Sequence, residues 1–389
     1  MLRRVALLAL VVVAHSSAMA APITYQYDLI ARQSDGFVPG SPDGINNAGQ
    51  VLFRATLPAG LQIVRSDGVA QVAIATSGAG SEFLGFSPIP TLNNRGEVAF
   101  AGRTSSNEAV YVSNGISTTA LVDVSGPFSG FPGNRPVHLN DSGRVVFRGF
   151  LDPIPGVTTQ TSINVLEGGV VSEVVNSGTS EFSSFGGPSI NNGGDIAFRA
   201  VTDVGETAVV LASGGTFRII ADTSGPFELI SEIISINNSS DIAFTVGLEG
   251  DAAAIYSTRG GVLAEIVSST STSFTSFSRP SINDAGDIAF AATDEDGVMS
   301  LNIFHGGVIK TILSTGDSLD GLLIVGLFLG FDFLNENGDI AFLALFEDGS
   351  RAIYRATAID VSEIPAPGAF ALFIFGFGGL AAARRLSRR

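Results

Sequence analysis

The stretch Ile282-Asn283-Asp284-Ala285-Gly286-Asp287-Ile288-Ala289-Phe290 organises the rest of this chain, because close copies of it occur seven times. Successive copies start 47, 47, 51, 46, 46 and 52 residues apart. A repeat of this length is one supersecondary unit that buries its apolar faces only against neighbouring copies. The signature residues are Asn46, Asn93, Asn140, Asn191, Asn237, Asn283 and Asn335, with Phe53, Phe100, Phe147, Phe198, Phe244, Phe290 and Phe342.

Each copy reads as a tight turn that leads into a strand. Asn bonds its own backbone and tolerates the left-handed region, and Gly takes a positive φ without steric cost. We therefore predict a type I turn followed by a left-handed Gly from Asn283 to Gly286. The apolar run after it does not alternate, which is typical of a strand packed on both faces. Ser240 replaces the Gly in one copy, and we expect that turn to be altered or strained.

The remainder of each unit is equally regular. An acidic or Gly turn follows the Phe strand, then a second strand such as Ala254-Ile255-Tyr256, a Gly-Gly turn and a third strand such as 308–313. A Phe-rich link such as 274–277 returns to the next Asn and is a candidate for a fourth, short strand. Three or four short antiparallel strands in about 47 residues match one propeller blade.

The two ends of the repeat region complement each other. Residues 24–31 resemble a third strand without its unit, and the last unit stops after its second strand near 352–356. A closed ring that completes its last blade with an N-terminal strand leaves this offset and removes the exposed sheet edge. We predict an all-β fold, a seven-bladed β-propeller closed by an N-terminal strand. The alternative is an open β-solenoid.

The N-terminus has the features of a secretory signal peptide. Arg3 and Arg4 precede a short apolar run, and Ala18, Ala20 and Ala21 surround a small-x-small cleavage site. We divide the chain into a signal peptide (1–20), the propeller (21–358), a linker with a sorting motif (359–367) and a C-terminal transmembrane helix with an Arg-rich tail (368–389). The alternative for the first segment is a membrane anchor.

The C-terminus combines three features in order. Pro365, Ala366 and Pro367 precede an apolar run over 369–383, and Arg384, Arg385, Arg388 and Arg389 end the chain. As a helix the run covers about 22 Å, short of a hydrocarbon core of roughly 30 Å unless 364–368 join it. A terminal basic cluster stays on the cytoplasmic side. We therefore expect a translocated body whose tail is held in the inner membrane.

This tail resembles the PEP-CTERM sorting signal of Gram-negative bacteria, although Ala366 stands where the motif has Glu. The resemblance implies that the chain is a substrate of a membrane peptidase of the exosortase type. The seven-copy repeat resembles exported tandem-repeat (NxxGxxAF) surface proteins with interchangeable C-terminal anchors, a family without an established catalytic activity. Together they imply a location in the cell envelope or on the extracellular surface. An ordinary membrane anchor is the alternative reading of the tail.

Composition restricts the partners. The 389 residues include 21 basic and 37 acidic residues, for a formal net charge of −16, and no Cys. An exported form of this chain therefore uses no disulfides. Such an acidic surface repels nucleic acid and anionic lipid, so nucleic acid is not an expected partner. Loops rich in Gly, Ser, Asp and Phe suit contact with exopolysaccharide or envelope proteins.

The sequence offers no catalytic constellation, and we predict no catalytic, cofactor-binding or metal residues. His138 and His305 have no neighbour at metal-ligand or triad spacing, so we interpret both as surface or turn residues. The acids that recur after the turn (Asp195, Asp241, Asp287 and Asp339) leave Ca²⁺ as an alternative, although one carboxylate per turn is too few for six to eight ligands.

The prediction is a non-catalytic structural or binding propeller of the envelope or extracellular matrix. The alternative is an enzyme, a hydrolase or lyase, that acts on extracellular polysaccharide through acids brought together by different blades. We interpret the repeated motif as packing between blades, so that residues specific for a ligand lie where the copies differ.

Overall fold

Seven antiparallel sheets, each built around one signature Phe strand, make up the fold. The structure is a computed structural model that describes residues 23–86, 89–132, 135–154 and 159–360. We number the sheets as blades 1 to 7, by the order of the signature Asn residues from Asn46 to Asn335. The predicted seven-bladed propeller is confirmed. The helices of the described part are two short 3-10 turns, Gln33–Asp35 and Glu249–Asp251.

Each blade has four strands, which are, from the channel outwards, an inner strand, the signature strand, a third strand and an outer strand. The third and outer strands are those that the sequence analysis counted as the second and third strands of a unit. The inner strand is a single run in blades 1 and 7 and is broken in two elsewhere. The inner segments are Val38–Ile45, Gly85–Phe86, Thr91–Leu92, Phe128–Gly130, His138–Leu139, Phe182–Phe185, Ser189–Ile190, Phe227–Ile230, Ser235–Ile236, Phe274–Phe277, Ser281–Ile282 and Leu322–Phe328, the last preceded by Ser318–Leu319. The Phe-rich links therefore do form the fourth strand that the sequence suggested.

The remaining strands follow the same order in every blade. The signature strands are Val51–Leu57, Val98–Arg103, Val145–Leu151, Ile196–Thr202, Ile242–Leu248, Ile288–Asp294 and Ile340–Phe346. The third strands are Gly60–Ser66, Glu108–Ser113, Thr161–Glu167, Thr207–Ser213, Ala252–Arg259, Met299–His305 and Arg351–Asp360. The outer strands are Gln71–Thr76, Thr118–Asp123, Val170–Asn176, Thr216–Asp222, Val262–Ser268, Val308–Ser314 and, in blade 7, the N-terminal Ile23–Arg32.

The N-terminal strand closes the ring as predicted. It pairs with Arg351–Asp360 at the outer edge of blade 7. Ile30 and Ala31 are buried with Phe53 of blade 1 and Ile353 of blade 7 in one apolar cluster. The first strand of the chain thus completes the last blade and also fills the junction between the last blade and the first.

The core lies between blades rather than within them. All seven signature Phe side chains are fully buried. In blade 6, Phe290 packs towards blade 5 with Ala243 and Ile255, whereas Ala289 packs towards blade 7 with Phe342. Each signature strand is therefore covered on both faces, as its continuous apolar pattern predicted.

The turn before each signature strand has the predicted geometry. The Gly286 N–H donates to the Asn283 carbonyl over 3.0 Å, and Gly286 has a φ of 79°. Ser240 keeps the same turn with a φ of 61° and donates the equivalent bond to Asn237. The hydrogen bonding of this turn is therefore unaltered, and the expectation of an altered turn is wrong. The expectation of strain holds, because a non-Gly residue in the left-handed region does carry strain. The Ser240 hydroxyl donates to the Asp195 carboxylate, a contact that Gly cannot make.

Candidate functional site: the central channel

The signature Asn side chains form a closed ring of hydrogen bonds around the channel. Each Nδ2 donates to the backbone carbonyl of the signature Asn in the next blade, over 2.9–3.3 Å. The seventh bond, from Asn335 to Asn46, joins blade 7 to blade 1. The seven Asn residues are buried. The side chain of the signature Asn is therefore used to hold neighbouring blades together, in agreement with the interpretation of the motif as packing between blades.

A second ring lies one residue further along each turn. Here the backbone N–H of one blade donates to a side-chain oxygen of the next, and the last bond runs from Glu336 to Asn47. The members are Asn47, Asn94, Asp141, Asn192, Asn238, Asp284 and Glu336. An acceptor oxygen is all that this ring requires, which explains why Asn, Asp and Glu interchange. Burial raises the pKa of Glu336, and the charges of Asp284 and Asp141 raise it further.

The residue before each signature Asn is apolar and lines the channel. This apolar girdle consists of Ile45, Leu92, Leu139, Ile190, Ile236, Ile282 and Leu334. Together with the two rings it surrounds a space of about 130 Å³. This end of the channel is therefore narrow, and its walls are nearly the same in every blade.

Charged residues that differ between blades lie at two places in the repeat. One is two to five positions before the signature Asn, within or next to the inner-strand segments, and the other is the position directly after the signature Phe, on the signature strand. One group, the arginine cluster, comprises Arg135 and Arg148 of blade 3, Arg199 of blade 4 and Glu232 of blade 5. Glu232 binds Arg135 through Oε2 at 2.8 Å and Arg199 through Oε1 at 3.2 Å. Arg148 has no hydrogen bond or ion pair with the described residues, and its Nε is buried without a partner.

Electrostatics set Arg148 apart. Burial, together with the positive charge of Arg135, lowers the pKa of the Arg148 guanidinium to about 10. Its guanidinium carbon lies 5.6 Å from the centre of the Phe150 ring. The inner strand of blade 3 is broken opposite Arg148, because it pairs with 145–146 and then only with 150–151. Among the described residues, no inner-strand residue of blade 3 pairs with 147–149.

A second group faces the channel from other blades. Asp43 is buried and binds Arg54 through both oxygens, at 2.9 and 3.2 Å. Burial raises the pKa of the Asp43 carboxyl to about 6, against the opposing effect of Arg54. Burial also lowers the pKa of Arg279, whose side chain stays accessible to water near Asp43 and Asp332.

His138 joins opposite sides of the channel. Its Nδ1 accepts the Ile190 N–H at 2.8 Å, so Nε2 carries the proton and donates to Asp332 of blade 7 at 2.9 Å. Its interpretation as a surface or turn residue is therefore wrong, because it lies on an inner strand with a side chain only 13% exposed. His305 does stand beside its Gly-Gly turn, where Nδ1 contacts Asp287 at 2.7 Å.

The four recurring acids do not come together. Asp195 accepts from Ser240, Asp287 contacts His305, and Asp339 accepts from Asn335 and from the Ala358 N–H. Asp241 Oδ1 is buried without a partner among the described residues. Within the same residues, no group of three or more His, Asp or Glu side chains could hold a metal ion.

The predicted targeting residues lie outside the described residues. These are Ala18, Ala20 and Ala21 at the cleavage site, and Pro365, Ala366, Pro367, Arg384 and Arg385 in the sorting signal. In the part of the chain that is described, no helix is long and apolar enough to cross a membrane.

Sequence reasoning missed the arginine cluster. Its one visible signal is the position directly after the signature Phe, which is Arg in Arg54, Arg148 and Arg199 and uncharged in the other copies. A comparison of the copies position by position finds these three residues. Only two of them, Arg148 and Arg199, belong to the cluster, and the comparison finds neither Arg135 nor Glu232, which pair with each other across blades 3 and 5.

Several solved structures share the fold. Oligogalacturonate lyase from Vibrio parahaemolyticus has a TM-score of 0.57 at 13% identity, over 87% of this chain and 98% of its own. A prolyl endopeptidase has a TM-score of 0.57 at 13% identity, over 84% of this chain and 50% of its own. Prolyl oligopeptidase B from Galerina marginata has a TM-score of 0.52 at 9% identity, over 84% of this chain and 47% of its own. Likeness at these identities extends to the fold alone.

No curated protein matches the sequence significantly. The family model described as "Family of unknown function (DUF7453)" matches residues 9–366. This match spans most of the chain, both the seven repeats and the N-terminal closing strand, and the protein therefore belongs to the DUF7453 family.

Proposed function

We propose that this protein is an exported, non-catalytic binding propeller of the cell envelope or extracellular matrix, which takes its ligand at the charged part of the central channel. The observation that carries the proposal is the division of labour within each repeat. The repeated residues use their polar groups in the two rings. The residues left to meet a ligand are those that differ between blades, and they converge on the channel.

The ligand can be sought directly. A glycan array and a metal-binding survey of the propeller, residues 21–358, should give selective binding to envelope or matrix components. Binding should weaken when a channel residue such as Arg148 or Arg279 is replaced, and should be unchanged when Arg218 on an outer strand is replaced. Selective binding that survives every channel substitution would place the site elsewhere on the propeller.

The C-terminal tail is proposed to sort the protein. Its support is the order of features in the sequence: Pro365-Ala366-Pro367, an apolar run and an Arg cluster. The expected partners are an exosortase-type peptidase and, transiently, the inner membrane of a Gram-negative cell. Deletion of 364–389 should release the protein into the medium. A deleted form that remains bound to cells would show that the tail is not its anchor.

A second candidate function is an enzyme that acts on extracellular polysaccharide. The specific observation in its favour is the His138–Asp332 pair, which places an imidazole and a carboxylate inside the channel at 2.9 Å. If this pair is catalytic, His138→Gln should abolish polysaccharide degradation by the purified protein and leave binding intact. Absence of degradation by the unmodified protein would retire this candidate.

A further inference from the structure

Among the described residues, the arginine cluster contains more guanidinium groups than carboxylates. One carboxylate, Glu232, binds the guanidinium groups of Arg135 and Arg199, and a third guanidinium, that of Arg148, lies within electrostatic range, in a chain whose formal net charge is −16. The side chains of Arg135 and Arg199 are 18% and 19% exposed. Like charges held together in a partly buried site repel each other unless an anion lies between them.

Arg148 is the member without an anion. Its neighbours are Arg135, which repels it, Glu232, which already binds two other guanidinium groups, and the ring of Phe150. Its buried Nε has no hydrogen-bond acceptor among the described residues. A buried donor left without an acceptor is costly, and the cost is largest for a charged group. A carboxylate bound to the terminal guanidinium nitrogens, which are not among the buried unpaired atoms, would supply the counter-charge that Arg148 lacks among the described residues.

We propose that Arg148 is the anchor of a binding site for a carboxylate ligand in the central channel, with Arg135 and Arg199 as its positively charged surroundings. The ligand class is a carboxylate carried by a uronic acid unit of an acidic polysaccharide or by a small free acid. This proposal rests on the proposed function, because it names the chemistry of the ligand that the channel takes.

The side chain of Glu232 indicates that the arginine cluster is suited to binding a carboxylate. Each of its two oxygens is bound by a different Arg, so the cluster already accommodates that group. A guanidinium presents its N–H donors in a planar fork that matches two carboxylate oxygens. Arg148 offers such a fork near the two guanidinium groups that Glu232 binds.

The test is isothermal titration calorimetry on the full chain in mild detergent, with three probes. Trigalacturonate represents a uronic acid oligosaccharide, its methyl ester lacks the negative charge, and citrate represents a small free acid. Trigalacturonate or citrate should bind, and the methyl ester should not. If trigalacturonate alone binds, the source is a polysaccharide; if citrate binds as well or better, the source is a free acid.

Four variants assign the site. Arg148→Gln should weaken binding of the charged probe by about ten-fold or more, since a charge-assisted bond is lost. Glu232→Gln should strengthen it, because an internal competitor loses its charge. Arg218→Gln, on an outer strand, is the matched control and should leave affinity unchanged. Arg148→Lys keeps the charge without the fork and should give an intermediate affinity.

Thermal stability separates binding from a structural role. Without ligand, Arg148→Gln should melt at the same temperature as the parent or higher, because it removes repulsion from Arg135 and a buried unsatisfied donor. If this variant fails to fold, or melts well below the parent, Arg148 is structural and the proposal is overturned.

Two further results would overturn the proposal. One is no binding of either charged probe up to about 10 mM, beyond which an affinity is too weak to be specific. The other is equal binding by the parent and Arg148→Gln. If neutral glycans bind on the array while both charged probes fail, the carboxylate site falls and the proposed function stands. If citrate binds through Arg148 while no envelope glycan or protein does, the site stands and the proposed function falls.

Discussion

The hydrogen-bonded rings and the arginine cluster lie within a few residues of each other along the chain, the rings in the turns before the signature strands and the cluster on either side of those turns, yet they follow opposite rules. The ring positions have Asn in every blade, or an acceptor that can replace it, and every bond repeats around the channel. The residues at the cluster positions differ from blade to blade. Their ion pairs join Glu232 of blade 5 to Arg135 of blade 3 and to Arg199 of blade 4. Residues that repeat close the propeller, and residues that differ give its channel chemical character.

The reason for the contrast is geometric. A ring bond must be made seven times between successive blades, so a change in one copy leaves a donor or acceptor unpaired in its neighbour. The cluster has no such constraint, because each of its bonds involves one particular pair of blades. Four predictions test whether the repeated residues and the residues that differ between blades also contribute differently to stability.

The largest expected effect belongs to the signature strand. Phe290→Ala removes a fully buried ring between blades 5 and 6 and should cost about 3–5 kcal/mol of unfolding free energy. Chemical denaturation monitored by circular dichroism measures this loss. Phe217→Ala, whose side chain is 45% exposed on an outer strand, is the control and should cost far less. Equal losses in the two variants would contradict the assignment of the core to the blade junctions.

The ring junction between the last blade and the first comes next. Asn335→Asp replaces the Nδ2 donor with an oxygen that faces the Asn46 carbonyl and the Asp339 carboxylate. The loss of two buried bonds should cost about 3 kcal/mol, measured by the same denaturation experiment. Asn337→Asp loses one exposed bond to the Asn47 carbonyl and serves as the control. An Asn335→Asp protein as stable as this control would mean that the ring does not hold the propeller closed.

The charged residues of the channel should affect how the stability of the protein depends on pH. Because burial raises the pKa of Asp43 to about 6, folding favours its protonated form, and its contribution to stability falls as pH rises from about 4 to 6. Asp43→Asn cannot titrate, so this variant should gain roughly 2 kcal/mol relative to the parent across that range.

Melting temperatures of both proteins at successive pH values measure the change. Asp67 is a control whose contribution to stability should depend on pH in the opposite direction, because the N–H groups of Ala70 and Val69 lower the pKa of its carboxyl. Its contribution to stability is present above the ordinary carboxyl pKa and is lost as pH falls. If the melting temperatures of the parent and Asp43→Asn differed by the same amount from pH 4 to pH 6, the raised pKa of Asp43 would be contradicted.

The smallest expected effect concerns the one turn that lacks Gly. Gly286 corresponds in position to Ser240, and Asp241 to Asp195, so Gly286→Ser should offer a hydroxyl to the unpaired Asp241 oxygen. Gly286→Ala has the same unfavourable φ without the hydroxyl and should lose about 1 kcal/mol. Gly286→Ser should lose less, as compared in one denaturation series. A serine variant no better than the alanine variant would show that the Ser240 contact does not offset its strain.

Much of the fold could be predicted from the sequence, because it depends on local rules repeated seven times. The turn at Asn283, the two-sided packing around Phe290 and the closure by residues 23–32 all follow from turn chemistry, apolar pattern and the offset ends. The Ser240 turn was misjudged because its compensating partner, Asp195, belongs to another blade. Local sequence contains no information on that neighbour.

The candidate site was much harder to predict, for a physical reason. His138 and Asp332 are 194 residues apart and meet only because the ring closes. Arg135 and Glu232 belong to blades that are not consecutive, so the separation between them along the chain matches no recognisable motif. The spacing rules for metal ligands or triads therefore could not detect them, and His138 was misread as a surface residue.

The ring of Asn side chains has a consequence for how such a propeller can change. Each Asn donates to a backbone carbonyl, a group that every residue carries, so one blade does not recognise the identity of the next. Blades could therefore be reordered, or exchanged with those of a relative, without breaking the ring. Reordering would bring different charged residues face to face in the channel. A family built in this way could acquire new ligands by rearranging whole blades, while the residues that close the ring stay as they are.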